Sequence, residues 1–423
     1  MGQYSLQRME SEAAAVVAGD KTLGMSRKQA GRGGRPAEGG LPIPAPGLLM
    51  IGAAGRNAGK TELACRIIAD TTQAERSGPG DGMPGPCVTG VKVTTVQESG
   101  GLCPRGGQGC GVCATLESDW CISVEEDPHG PKDTSRLLRA GAARVFWLRV
   151  LEKSLAGGAG ALLKQPGLVP PWVCESNRLR QVLDPDLFLL VRGASAESMK
   201  PSAASVAQLA DAVVLSDGES FEPSEAAVSL LDGSWTLRRK ATAIVLAGGR
   251  STRMGTDKSL MALAGKPLVE HVVDQVRPQV EQIRLSAADE ERFAFLGLPI
   301  SRDRLADAGP LVAIASSLED STTEWNLVVP CDMPRIPARL VTQMFRLAEG
   351  ADIVVPTSGG HFEPLLALYR RGCLSVMWEA IREGGRKIID VFDRLTVRTL
   401  PLPSGAMLAN LNTPDEFRRY SGE

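Results

Sequence analysis

The chain has 423 residues, 43% of them hydrophobic, and a formal net charge of −2. That length suits two or three domains, and the near-neutral balance excludes a nucleic-acid or membrane-surface role driven by bulk charge. It carries no run of about 18 apolar residues and no basic flank with a long apolar core, so neither a membrane span nor a secretory signal is predicted and a cytoplasmic location is expected. Residues 1–46, rich in Gly and Pro, are predicted to form a mobile leader, because too little apolar surface is present to offset the entropy of ordering. From Leu48 apolar runs begin to alternate with helical patterns: LLMIGA, a Gly-rich loop, a helix from Thr61 to Asp70, then CVTGVKV, ARVFWLRV, PPWVCES, DLFLLV and DAVVLS, with DTSRLLRAG and SAASVAQLAD as helices between them. Buried strands alternating with helices predict a parallel α/β sheet. Residues 218–240 are polar and read as a linker, with AAVSLL as a possible last helix. A second α/β unit starts at TAIVLAGG and continues through QIRLSA, WNLVVP, DIVVP and LLALY. The fold class expected is therefore α/β, with two three-layer domains: 47–217 and 241–423.

The segment Ala243–His271 carries the most chemistry. A strand of small and β-branched residues, ending Leu246-Ala247, runs into Gly248-Gly249, where backbone amides can approach an anion with no side chain in the way. Arg250, Arg253 and Lys258 place three cations within nine residues of one another. Together these suit a triphosphate whose charge must be offset during displacement. A Gly-Gly turn with solvated charges is the alternative when such a motif stands alone. Downstream, VVPCDMPRIP puts Asp332 just past a buried strand, at the carboxyl edge where α/β sheets bind ligands.

The pattern AIVLAGGRSTRMGTDKSLMALAGKPLVEH resembles the signature of the molybdenum cofactor guanylyltransferases. Asp303, Asp307 and AGPLVAI resemble that family's nucleotide-contacting segment, and NLNTPDEF, with Asn410 and Asn412, resembles its terminal motif. The resemblance spans about residues 241–421. It implies a Rossmann-like nucleotidyltransferase that joins GMP from GTP to the molybdenum cofactor (molybdopterin) and releases pyrophosphate. It also implies Mg²⁺ on Asp332, nucleotide contacts from Leu246, Ala247, Gly248, Gly249, Lys258, Ser286, Asp303, Asn410 and Asn412, and charge stabilisation by Arg253 and Lys258. The sequence departs from the family at Ser286, where Asn is frequent, and at Ala313, where Gly is usual. LAGG resembles the guanylyl members, whereas the cytidylyl relatives tend to show LAAG. An already ionised acceptor phosphate needs no general base, which suits a chain with only three His.

In the N-terminal half, AGRNAGKT (Ala54–Thr61) matches the P-loop pattern with Ala in place of the first Gly, after a strand and opening a helix. Gly55, Asn57, Ala58 and Gly59 would cradle phosphates through their amides, Lys60 would reach the β- and γ-phosphates, and Thr61 would bind Mg²⁺. With VTGVKVTT and KDTSRLLRAGA, this half resembles the accessory P-loop protein of molybdopterin-guanine dinucleotide synthesis. That implies GTP binding, with molybdoenzymes or their chaperones as candidate partners. Glu175 is read either as a second metal or water contact or as a turn carboxylate. Cys103, Cys110, Cys113 and Cys121, in an insert at 100–122, have a spacing that can converge on Zn²⁺ or an iron–sulfur cluster. Free thiols in a loop, or a redox pair of Cys110 and Cys113, are the alternatives.

Overall fold

The computed structural model describes residues 41–74, 87–96, 116, 118–194, 198–248, 258–306, 309–402 and 411. Gly249, Arg250, Arg253, Asp307, Asn410, Asn412, Cys103, Cys110 and Cys113 lie outside the described residues. The described residues from Pro42 onward belong to one compact unit.

The N-terminal half is built from β1 (Ile43–Ala53), α1 (Lys60–Ala74), β2 (Thr89–Val96), β3 (Trp120–Glu125), α2 (Asp133–Arg139), β4 (Arg144–Leu151), α3 (Leu155–Leu163), β5 (Trp172–Glu175), β6 (Leu183–Gly193), β7 (Ala212–Ser216) and β8 (Phe221–Glu222). Its sheet runs in the order β3-β4-β2-β5-β1-β6-β7-β8. The inner strands are parallel, as their unbroken apolar runs require when both faces are covered. The edge strands β3 and β8 are antiparallel to their neighbours. Leu63, Ala64, Ile67 and Ile68 of α1 are buried, an apolar stripe at helical spacing, and Glu62 in its first turn complements the helix dipole.

Three expectations are corrected here. The predicted leader extends to residue 46, yet β1 begins at Ile43, with Ile43, Pro44 and Ala45 paired to Leu183, Asp184 and Pro185. The register shifts between Ala45 and Leu49, and Gly47 there has φ +72°. Its amide donates to the buried Asp186 carboxylate at 2.7 Å, a tertiary contact that composition does not reveal. SAASVAQLAD yields only a turn of α-helix, Pro201–Ala204, and a 3₁₀ turn, Ala207–Leu209. The stretch 218–240 is no plain linker. After β8 it forms a hairpin of β9 (Val228–Leu231) and β10 (Ser234–Leu237), and AAVSLL is a 3₁₀ turn leading into β9 rather than a helix. Trp235 is wholly buried in the N-terminal core, and its indole N–H donates to the Gly47 carbonyl at 3.0 Å.

Only Arg238 separates this hairpin from β11 (Arg239–Leu246), an interior strand of the second sheet. That half adds β12 (Ala262–Leu263), β13 (Lys266–Pro267), α4 (Leu268–Val276), β14 (Val280–Ser286), β15 (Ile300–Ser301), α5 (Pro310–Asp320), β16 (Trp325–Pro330), α6 (Ala338–Arg346), β17 (Ile353–Ser358), β18 (His361–Phe362), β19 (Ala367–Arg370), α7 (Leu374–Arg382) and β20 (Val397–Pro401). The sheet order is β15-β14-β11-β16-β19-β17-β18, with β20 on β17. β15, β14, β11 and β16 are mutually parallel, and β19 runs against β16 and β17. The first four strands thus reverse direction of winding between β11 and β16, the place where doubly wound sheets open a ligand crevice at their carboxyl ends.

The halves meet through α6. Its apolar face, with Leu340, Val341 and Met344, packs into the C-terminal core. On its other face, Arg346 donates from Nε and Nη2 to both oxygens of Asp211 at 2.7 and 2.9 Å. Arg339 pairs with Asp184 and, at 3.0 Å, with the fully buried Asp186.

Candidate active site and nucleotide-binding cleft

In the C-terminal half, strand register lines up the site. Leu246 stands beside Ser286 on one side and Pro330 on the other, and Ser286 stands beside Ser301. The chain leaves these four strand ends through Ala247-Gly248, Ala287, Asp303 and Asp332, so residues distant in sequence share one carboxyl edge. Ala247 donates its amide to the Ser286 carbonyl at 2.9 Å, and Cys331 donates to the Leu246 carbonyl at 3.1 Å. Gly248 is exposed at the mouth, whereas Ser286 is buried. Lys258 crosses to Asp332, its Nζ donating to Oδ2 at 2.9 Å, with both side chains largely screened from solvent. Leu411 donates its amide to the Asp332 carbonyl at 2.9 Å and is buried with Leu263 and Leu268. Partial desolvation holds the carboxyl of the exposed Asp303 above its ordinary range. Gly309, at φ +87°, leads into Pro310, which opens α5 at the same edge of the sheet. Pro tolerates that first helical position because its missing N–H would have had no intrahelical partner.

A carboxylate beside an ammonium, at the end of a parallel strand and next to a glycine turn, can hold a polyphosphate by charge and hold a hard cation by oxygen. Asp332 supplies the oxygen that Mg²⁺ prefers, and Mg²⁺ commonly uses one or two carboxylates with substrate phosphates completing its shell. Among the described residues there is no group of three His, Cys, Asp or Glu side chains that could hold a metal by themselves.

The N-terminal half has a cleft of about 1010 Å³ at the carboxyl edge of its sheet, lined by the Gly55–Glu62 loop and by parts of β2, α2 and β4. Asn57 at φ +55° and Gly59 at φ +92° turn the loop into α1. A Cβ on Gly59 would stand 3.2 Å from both the Phe221 ring and the Ser216 hydroxyl, on top of its unfavourable φ. Asn177 clamps the strand end by accepting from the Ala53 amide at 2.7 Å and donating to the Ala53 carbonyl at 3.0 Å.

Beneath the loop lies Glu175, fully buried. Its Oε2 accepts from the Thr61 hydroxyl at 3.1 Å and from Lys92 at 2.5 Å, and lies 3.5 Å from the Lys60 ammonium. Its Oε1 is buried without a hydrogen-bond partner. An unpaired buried carboxylate oxygen next to a hydroxyl is the donor set a hard divalent cation takes up, so Thr61 and Glu175 fit Mg²⁺. Lys92 also donates to Asp133 at 2.6 Å. Burial alone would lower the Lys92 pKa, but Glu175 and Asp133 outweigh it and hold it above the usual lysine range. Burial lowers that of Lys60. Lys200, whose Nζ lies 3.5 Å from the Gly55 carbonyl, is lowered to about 8, first by burial and then by Lys60, Lys92 and Arg56.

Lys258, Asp332, Leu246, Ala247, Gly248, Ser286 and Asp303 therefore share one edge, and Gly55, Asn57, Ala58, Gly59, Lys60, Thr61 and Glu175 share the other cleft. Cys121 lies in β3, where its sulfur accepts from Arg149 at 3.2 Å. Sequence reading did not assign Lys92, Asp133, Trp147, Asn177 or Lys200 to the cleft. Lys92 and Asp133 were visible inside VTGVKVTT and KDTSRLLRAGA, but only the sheet shows that they face Glu175.

Residues 243–397 match the MobA-like NTP transferase domain. The molybdenum cofactor guanylyltransferase of Serratia proteamaculans is 36% identical over 192 residues, which are 44% of this chain and 97% of that protein. A probable molybdenum cofactor guanylyltransferase of Pelotomaculum thermopropionicum is 34% identical over 185 residues, 42% of this chain and 90% of the relative. A crystal structure of molybdopterin-guanine dinucleotide biosynthesis protein A from Archaeoglobus fulgidus is similar over 43% of this chain and 97% of its own, at 27% identity and a TM-score of 0.38. Through its C-terminal half, the chain belongs to the molybdenum cofactor guanylyltransferase family of nucleotidyltransferases.

Proposed function

We propose that the C-terminal half transfers GMP from GTP to the molybdenum cofactor, and that the N-terminal half is a P-loop domain that binds GTP as an accessory to that reaction. The observation that carries the first part is the placement of Gly248, Ser286, Lys258 and Asp332 along one carboxyl edge, at the winding reversal, inside the stretch shared with the guanylyltransferases.

The acceptor's terminal phosphate is anionic at neutral pH, so its oxygen attacks the α-phosphorus without a general base. The new P–O bond forms as the bond to the bridging oxygen breaks, and pyrophosphate leaves with the electron pair. Catalysis is then positioning and charge compensation. Lys258 and Arg253 offset the charge growing on the leaving pyrophosphate. Gly248 and Gly249 let the triphosphate lie against backbone amides, and Ser286 and Asp303 line the nucleotide side. Asp332 would hold Mg²⁺, which supplies Lewis-acid polarisation of the phosphate oxygens when bound. In the N-terminal half, Lys60 meets the outer phosphates, while Thr61 and Glu175 would hold a second Mg²⁺. The cytidylyl relatives remain the rival for base choice.

The test is pyrophosphate release by the full chain with Mg²⁺, molybdenum cofactor and either GTP or CTP. We expect release with GTP only, reduced on the order of 100-fold or more in Asp332→Ala, the scale of losing one charge-stabilising group. Release with CTP would overturn the guanine assignment, and full activity in Asp332→Ala the role of that carboxylate. Loss in Lys60→Ala with Asp332→Ala unaffected would make the N-terminal half the engine.

A further inference from the structure

The N-terminal cleft is larger than its phosphate loop accounts for. At about 1010 Å³ it stands at the upper end of the roughly 300–1,000 Å³ typical of single-ligand sites. Its far side is a platform that the phosphate-loop motif does not include. Strand register places Glu175 beside Lys92 and Lys92 beside Trp147, so the three side chains share one face of β5, β2 and β4. Two strand spacings put Trp147 roughly 10 Å from the Glu175 carboxylate. Lys92, held between Glu175 and Asp133, separates the two parts of the cleft.

Trp147 is built into this platform rather than scattered on a surface. Its indole N–H donates to the Thr94 hydroxyl at 3.0 Å, and the Arg149 guanidinium rests 4.9 Å from the ring centre. The ring is nevertheless only half-buried and lines the cleft, with the exposed Lys132 ammonium 5.8 Å from it. A pinned indole covered by an exposed, movable lysine recognises a flat ring by stacking once the ammonium over its face swings aside to meet the ligand's phosphate.

We propose that this cleft holds a second ligand beside the nucleotide, a phosphorylated planar heterocycle stacked on Trp147 with its phosphate met by Lys132. This rests on the reading of Gly55–Thr61 as a phosphate loop. In that reading the terminal phosphate points toward Glu175 and Lys92, so the second ligand lies beyond it. The acceptor of the C-terminal half's proposed reaction is a compound of this class.

The test is titration of the full chain with neopterin monophosphate, a fluorescent phosphorylated pterin, with and without a non-hydrolysable GTP analogue. The C-terminal half can also take the probe, so the readout is the binding class removed by substitution. In Trp147→Leu that class weakens about tenfold or more, the size of one lost stacking contact. The same variant keeps a cooperative circular-dichroism melt close to that of wild type, which certifies its fold. Trp147→Phe retains the class, and Lys132→Met weakens it. Trp147→Leu binding curves that superimpose on wild type overturn the proposal, as does complete displacement of the probe by millimolar inorganic phosphate. A chain whose analogue binding ignores Lys60→Ala, yet whose probe binding still depends on Trp147, fails the phosphate-loop reading alone.

Discussion

Lys200 shows how a single residue can carry a pH signature. Burial, and then crowding by Lys60, Lys92 and Arg56, brings the pKa of its ammonium to about 8. Bound phosphate favours the charged form. If the N-terminal cleft binds nucleotide as proposed, its affinity is therefore expected to fall as pH rises through about 8 toward 9.5, measured by calorimetry with the GTP analogue. Lys200→Met should flatten that step, and a step that survives the substitution would assign it to another group. The sign for folding is the reverse. Between about 8 and the ordinary lysine value of 10.5, the unfolded chain holds the extra proton, so stability from this group rises with pH across that window. Lys200 had no mark in the sequence, since MKPS reads as an ordinary loop. Glu175 is marked in the sequence only by its place in a strand-forming run, whereas its complete burial and its bond to Thr61 come from the fold.

Helix α6 illustrates what an element can do beyond covering a sheet. Arg339 and Arg346 are seven residues apart, two helical turns, and so project from the same face. They meet Asp184 and Asp186, which alternate along β6, and Asp211 just before β7. Asp186 and Asp211 have fully buried side chains, so these pairs are shielded from screening by salt. Arg346→Ala would leave Asp211 buried without its bidentate partner, and the expected loss is about 3 kcal/mol, seen as a lower urea midpoint. A change under about 1 kcal/mol would mean that Asp211 finds other donors. The partners stand 135 to 162 positions away in sequence. No local pattern could have paired them.

For the molecule as a whole, the two halves share a boundary rather than a tether. The β9–β10 hairpin belongs to the N-terminal core through Trp235 and Leu237, and one residue later β11 begins the C-terminal sheet. A fragment ending at Asp217 is expected to be insoluble or to melt well below one ending at Arg238, because it lacks Trp235. Trp235→Ala in the full chain should cost roughly 3–5 kcal/mol, the range for emptying a buried aromatic site. Equal melting of the two fragments, followed by circular dichroism, would show that the hairpin is dispensable. Composition suggested a linker because the stretch is polar and rich in turn residues. Its two apolar anchors become informative only once the core they fill exists.

The sequence by itself determined the class of fold, the strands of both sheets' interiors, the glycine loops that end β1 and β11, and the family of the C-terminal half. These are local properties: unbroken apolar runs mark buried strands, and glycine with basic residues marks an anion loop. Tertiary structure alone decided which residues stand together. It set the order of strands, brought Lys258 onto Asp332 and Lys92 onto Glu175, lined Trp147 up with Lys92, and joined the halves through arginine pairs. Those choices depend on register and on burial of charge between distant segments, and neither is encoded in the spacing of residues along the chain.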